Sequence, residues 1–173
     1  MLSGNKSLFR PEALLELTSG GIPMIYYGEE VGRAGGDWPD NRSDMPWGDR
    51  KILPGAGKPR DEALRADYKK MIAIRRSHPA FARGTHTSLA TDGDLLVFLQ
   101  SEEGNEPHRD AVVVAINRGT APATASFDAP AVWGDRPVRD DRSGEAVPRT
   151  TGGRIEAAVA PHSARIFAVE PFH

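Results

Sequence analysis

No cysteine occurs among the 173 residues, which removes disulfides, thiolate metal sites and thiol nucleophiles together. An excess of either charge is also missing. The 22 Lys+Arg stand against 24 Asp+Glu, a formal net charge of −2, whereas a chain that grips nucleic-acid phosphates carries a clear basic surplus. No apolar run approaches the roughly 20 residues that span a bilayer. The opening Met1-Leu2-Ser3-Gly4-Asn5-Lys6 is too polar for a secretory signal. Nucleic acid and membrane are therefore not expected as partners. If Met1 is the true start, the expectation is a soluble, cytoplasmic chain. His78, His86, His108, His162 and His173 are scattered, mostly at turn-like or terminal positions. No pair of them has zinc spacing. Internal repeats are absent as well.

What is present divides near Ala82. Before it, Ser7–Ser19 reads as a helix, with Pro11 in its first turn, Leu14, Leu15 and Leu17 on an apolar side, and Gly20-Gly21 as the stop. The run Ile22-Pro23-Met24-Ile25-Tyr26-Tyr27-Gly28 is apolar without alternation, which suits a strand buried on both faces. Glu29 to about Arg60 reads as one long loop. Loops of that length in compact domains are functional or disordered, and Trp38, Met45 and Trp47 favour an ordered one. Asp61 then N-caps a helix to about Ser77, with Leu64, Tyr68, Met71 and Ile72 as its apolar stripe.

After Ala82 short apolar runs recur at Leu95–Leu99, Val112–Ile116, Ala123–Phe127, Ile155–Val159 and Ala164–Val169, between turn-forming residues. That pattern is an antiparallel β-sandwich or barrel. The expected organisation is α/β over residues 1–81 and all-β over residues 82–173. A complete (β/α)₈ barrel needs about 250 residues, or roughly 200 at the least, so residues 1–81 hold only part of one.

Several stretches, in this order, resemble glycoside hydrolase family 13, the α-amylase family. Gly21–Gly32 is similar to its final barrel strand. Gly35–Trp47, with Arg42, Met45 and Trp47 as an Arg-x-x-Met-x-Trp run, resembles the loop after that strand in oligo-glucosidases, cyclomaltodextrinases and maltogenic amylases. Asp67–Ala80 looks like its eighth barrel helix, and Ser143-Gly144-Glu145 with Ala160–Phe167 resembles its β-sandwich C-terminal domain. The resemblance implies the last helix–strand–helix of a (β/α)₈ barrel followed by an antiparallel β-sandwich. It further implies a retaining enzyme whose complete form acts on α-glucan or malto-oligosaccharide, without an organic cofactor. The three catalytic carboxylates of the family, one of them in an Asn-His-Asp motif upstream, have no counterpart in this sequence. A C-terminal fragment, inactive alone, is therefore expected, with the missing barrel part as a candidate partner. The alternatives are a non-catalytic carbohydrate-binding module or the remnant of a decayed gene.

Among local candidates Arg42 leads, because a planar guanidinium over a barrel mouth donates a fork of hydrogen bonds to sugar hydroxyls. The competing reading is a loop staple to Asp37, Asp40 or Asp44. Asp40 and Asn41 share that ambiguity. Trp47 and Trp38 offer faces for sugar rings, as does Tyr26, or else anchor the loop. Asp37, Asp40, Asn41 and Asp44 carry oxygen ligands but no calcium-loop spacing, so no metal is expected. Glu29 and Glu30 follow the strand at a catalytic-looking place, yet adjacent residues point apart, so turn capping or pairing with Arg33 is expected. The run Ser101–Asp110 reads as a solvated hairpin loop.

Overall fold

Residues 9–33, 38–39, 42–53, 58–102, 110–150 and 152–169 are described by a computed structural model. Three helical segments precede eight strands. The helices are α1 (Phe9–Thr18), α2 (Glu62–Ser77) and the single turn α3 (Ala80–Arg83). The strands are β1 (Thr85–Asp92), β2 (Leu95–Glu102), β3 (Asp110–Asn117), β4 (Ala123–Asp128), β5 (Val138–Asp140), β6 (Ala146–Val147), β7 (Arg154–Val159) and β8 (Ser163–Val169). Every strand pair is antiparallel. The order is β1-β2-β3-β8-β5-β6 in one sheet and β4-β7 in a second.

Period-two side-chain alternation gives the large sheet two working faces. Val97, Val113, Ala115 and Phe167 point to one side and close over Phe127, Ile155 and Val159 of the small sheet. Trp133 fills the middle of that sandwich, fully buried, and its indole N–H donates to Ala111 O at 2.8 Å. On the opposite face Phe98, Val112, Val114 and Ile166 receive Leu14 and Leu17 of α1 and Tyr68, Met71 and Ile74 of α2. Strands β2, β3 and β8 are therefore covered on both sides, which is why they read as continuous apolar runs. Strand β7 is covered on one side only, and Ile155, Ala157 and Val159 alternate with exposed residues as expected. Polar β1 forms the outer edge and carries no apolar signal.

Asp61 caps α2 as its position suggests, accepting from Leu64 N at 2.8 Å. At the other end, His78 terminates the helix and is buried between two aspartates. Its Nδ1 lies 3.1 Å from Asp110 Oδ1 at the start of β3, and its Nε2 lies 2.6 Å from Asp141 Oδ2 after β5. Asp110 also accepts from Ala80 N, and Asp141 from Arg139 Nε. A third tie is Arg142, which reaches Asp67 on α2 at 2.9 Å and Ala164 O on β8 at 3.0 Å.

The run Ile22–Gly28 departs from its expectation of a strand buried on both faces. It forms no ladder, Ile22 and Met24 are 97% and 71% exposed, and Tyr26 and Tyr27 are exposed as well. No backbone hydrogen bond joins Ile22–Ile25 to another described residue. The composition expresses a demand for burial, but among the described residues no strand pairs with the run to meet it. The expected hairpin loop over Ser101–Asp110 falls mostly outside the described residues.

Burial alone disfavours charge on His78, but hydrogen bonds and charges from Asp110 and Asp141 outweigh it and raise the pKa to about 9. Burial likewise opposes charge on Asp141, and His78 and Arg139 overcome it and hold that carboxyl below its usual range. The stabilisation from His78 is full below its unfolded pKa of about 6.5 and is lost as pH rises through about 9. That from Asp141 is present above its unfolded value and lost as pH falls through the lower folded one. His78→Gln should cost about 3 kcal/mol near neutrality, since it strands buried carboxylates. Urea unfolding across pH 5 to 10 checks this: the gap between wild type and variant should narrow through about pH 9.

Candidate functional site

The loop after Gly20 is fixed at two points before it reaches the candidate residues. Arg75, in the last turn of α2, donates to Leu17 O and Ser19 O at 2.8 and 2.9 Å and to Gly21 O beyond them. The end of α1 and the start of the apolar run are thereby tied to α2. The chain then reverses at Tyr27 and Gly28, whose φ values of 53° and 87° are both left-handed. A 3₁₀ turn, Glu29–Val31, follows, and Val31 O accepts from Asp61 N at 2.9 Å, the second tie to α2. Gly28 is required twice over. Its φ is costly for any L side chain, and a Cβ there would lie 2.8 Å from Met45 Sδ.

This reversal forms one wall of a pocket of about 320 Å³, lined by Tyr27, Gly28, Arg33, Arg42, Ser43, Asp44, Met45 and Trp47. Arg33 Cζ stands 4.2 Å above the Tyr27 ring, and the Arg33 guanidinium also donates to Ser43 O at 2.8 Å and Ser43 Oγ at 2.9 Å. Arg42 Cζ lies 5.9 Å from the centre of the same ring. Two guanidinium groups thus flank one aromatic face. Asp44 pairs at the rim with Lys58 at 3.2 Å. The pocket presents planar N–H donors, a hydroxyl, a carboxylate and an indole, a mixture suited to a polyhydroxylated ligand.

Of the residues singled out in the sequence, Arg42 and Trp47 meet in this pocket. Asp40, Asn41 and Asp37 lie outside the described residues. Tyr26 is exposed beside Tyr27, with ring centres 5.5 Å apart, and Trp38 is exposed rather than packed into a core. Arg33 turns to Ser43 and Tyr27. Glu29 turns toward α2, where Tyr68 Oη donates to its Oε1 at 3.4 Å. Burial first, then the nearby charge of Glu16, raises the Glu29 pKa. Tyr27, Arg33 and Ser43 were not readable as pocket residues. The left-handed Tyr27-Gly28 bend brings them together, and its only sequence trace is a glycine after two tyrosines. Among the described residues no group of three or more His, Asp or Glu could hold a metal ion, and no helix is long and apolar enough to cross a membrane.

No family model matches the chain. Curated relatives do. It is 35% identical over 112 residues to the cyclomaltodextrinase of Geobacillus thermopakistaniensis, covering 64% of this chain and 17% of that protein. It is 32% identical over 115 residues to the amylopullulanase of Thermoanaerobacter thermohydrosulfuricus, covering 63% and 7%. It is 31% identical over 116 residues to neopullulanase 2 of Thermoactinomyces vulgaris, covering 67% and 18%. Among solved structures, Ttha1563 from Thermus thermophilus superposes with a TM-score of 0.78 at 25% identity, over 96% of this chain and 32% of that one. The debranching enzyme of Nostoc punctiforme gives 0.69 at 26%, with the same coverage. The curated relatives that the chain matches are glycoside hydrolases. Within that class the relatives are α-amylase-family enzymes, glycoside hydrolase family 13, and the chain is homologous to a portion of them. It spans less than a fifth of the length of these curated relatives.

Replacing Gly28 by alanine should cost about 1–2 kcal/mol from the left-handed backbone, with a further loss from displacing Met45. Urea unfolding followed by circular dichroism measures the cost, and a stability equal to wild type would show that the bend is not held.

Proposed function

We propose that this chain is the C-terminal part of a retaining, α-glucan-active glycoside hydrolase. In this reading Ile22–Gly28 is the last strand of a (β/α)₈ barrel, α1 and α2 are the helices around it, and the strands from β1 onward form the C-terminal β-sandwich. The observation that carries it is the apolar run Ile22–Tyr27, exposed and without a ladder partner, in a chain that covers only 17% of a related cyclomaltodextrinase. Such a run is stable in water only when neighbouring strands satisfy its backbone and layers cover its faces. The catalytic carboxylates reside in the remaining length of the enzyme. The part played here is to shape the substrate cleft. Arg42 donates to sugar hydroxyls, Trp47 offers an aromatic wall, and Asp40 and Asn41 act on the same loop.

A carbohydrate-binding module is the weaker reading. Trp133, the one tryptophan of the β-rich part, is fully buried with its N–H already bonded, so it presents no face to a sugar.

Purified chain should show no turnover of malto-oligosaccharides or cyclodextrins. A chimera in which it replaces the matching portion of the Geobacillus cyclomaltodextrinase should fold and hydrolyse them. In the chimera Arg42→Ala should raise KM about tenfold, with kcat changed less, the loss of about 1.4 kcal/mol expected for one charged hydrogen-bond donor. Turnover by the isolated chain that disappears in Glu29→Gln would overturn the reading.

A further inference from the structure

Two arginines face the Tyr27 ring, and they differ in exposure: Arg33 is half-buried and Arg42 is exposed. Arg33 is tied down along its whole length. Its own N–H donates to Gly28 O at 3.0 Å. Its Cδ and Cβ lie 3.2 and 3.3 Å from the place a Cβ on Gly28 would occupy, so the stem runs close along that glycine. Beyond the stem, the guanidinium stands over the Tyr27 ring and donates to both oxygens of Ser43. Ser43 directly follows Arg42. On its other side Arg42 is held as well, because its N–H donates to Pro39 O at 2.8 Å. The backbone around Arg42 is therefore clamped before and after, and Arg33 supplies the second clamp. Tyr27 completes the arrangement. Its left-handed backbone is rare for an aromatic residue and persists where the surroundings impose it. Only a planar guanidinium can give Ser43 a fork of donors and Tyr27 a flat face together, whereas a lysine ammonium offers a point charge.

We propose that Arg33 is a positioning residue of the pocket: it acts through Ser43 and the Tyr27 ring to hold Arg42 in place, and it is not itself a ligand contact. Holding the donor in its working geometry beforehand lowers the ordering cost when a ligand binds. The consequence for binding rests on the reading of Arg42 as a sugar contact. The geometry that Arg33 imposes on Arg42 does not.

The first arm of the test uses the whole 173-residue chain, isotope-labelled, and reads the arginine Nε–H signals by nuclear magnetic resonance. The Arg42 signal is identified by its loss in Arg42→Lys. In Arg33→Lys, which keeps the charge and the stem, that signal should move to the position of a solvated arginine. Tyr27→Leu should move it the same way. The indole N–H of buried Trp133, bonded to Ala111 O, should stay in place and so report an intact sandwich. Should Arg33→Lys lose the Trp133 signal, Ser43→Ala, which removes one acceptor alone, carries the same test. The second arm uses the Geobacillus chimera. There Arg33→Lys should raise KM about fivefold with kcat changed less, and it should add little to Arg42→Ala in the double variant, because both remove one interaction. An Arg42 signal that stays put without the Arg33 guanidinium would overturn the proposal. So would effects on KM that multiply in the double variant, since they would make Arg33 an independent ligand contact. An inactive chimera counts against the hydrolase reading alone, because the arginine signals decide the positioning without it.

Discussion

A buried imidazolium held between two carboxylates is the interaction on which the arrangement of layers depends. His78 sits where α2 ends, Asp110 where β3 begins and Asp141 just after β5. Charge in such a place is tolerated only when each ring N–H has an acceptor and each carboxylate a further donor. Asp110 has Ala80 N, and Asp141 has Arg139. The geometry fixes the end of α2 against the sheet, and the end of α2 carries Arg75 three residues earlier. Arg75 holds the exit of α1 and the start of the apolar run, so one of the two ties of the loop lies beside that histidine. The loop that carries Tyr27 and Arg42 is thus held to α2 at both of its ends, by Arg75 beside His78 and by the Asp61 N–H to Val31 O bond.

Much of this fold could be read from residue order because its elements are amphipathic in simple ways. The Asp61 cap of α2, most of its stripe (Leu64, Tyr68 and Met71, with Ile74 buried where Ile72 is only partly so) and the five apolar runs that became β2, β3, β4, β7 and β8 follow from residue type and periodicity. Strand β1 was invisible because it is a polar edge whose neighbour supplies the apolar contacts, and β5 and β6 are too short to carry a period. The difference at Ile22–Gly28 has a different origin. Periodicity reports what a segment needs, not whether the need is met, and no neighbouring strand lies beside it among the described residues.

The candidate site was legible in part for a related reason. Arg42 and Trp47 stood out as large residues in a long loop, and both line the pocket. Arg33 and Tyr27 did not, because their meeting depends on a left-handed backbone at Tyr27 and Gly28 that no spacing rule conveys. The histidine contact was equally hidden. Its two aspartates lie 32 and 63 residues further along the chain, and only the antiparallel order of the large sheet brings them to one ring.

The β1 edge and the run at Ile22 are unlike in kind. Strand β1 closes the large sheet with Thr, His and Ser side chains and a register break between Ser88 and Ala90. A kinked, polar rim of that sort discourages further ladders. The run at Ile22 has neither defence. The β1 rim is thereby finished, whereas the run at Ile22 is left open, as in a joint cut to receive a single mating part.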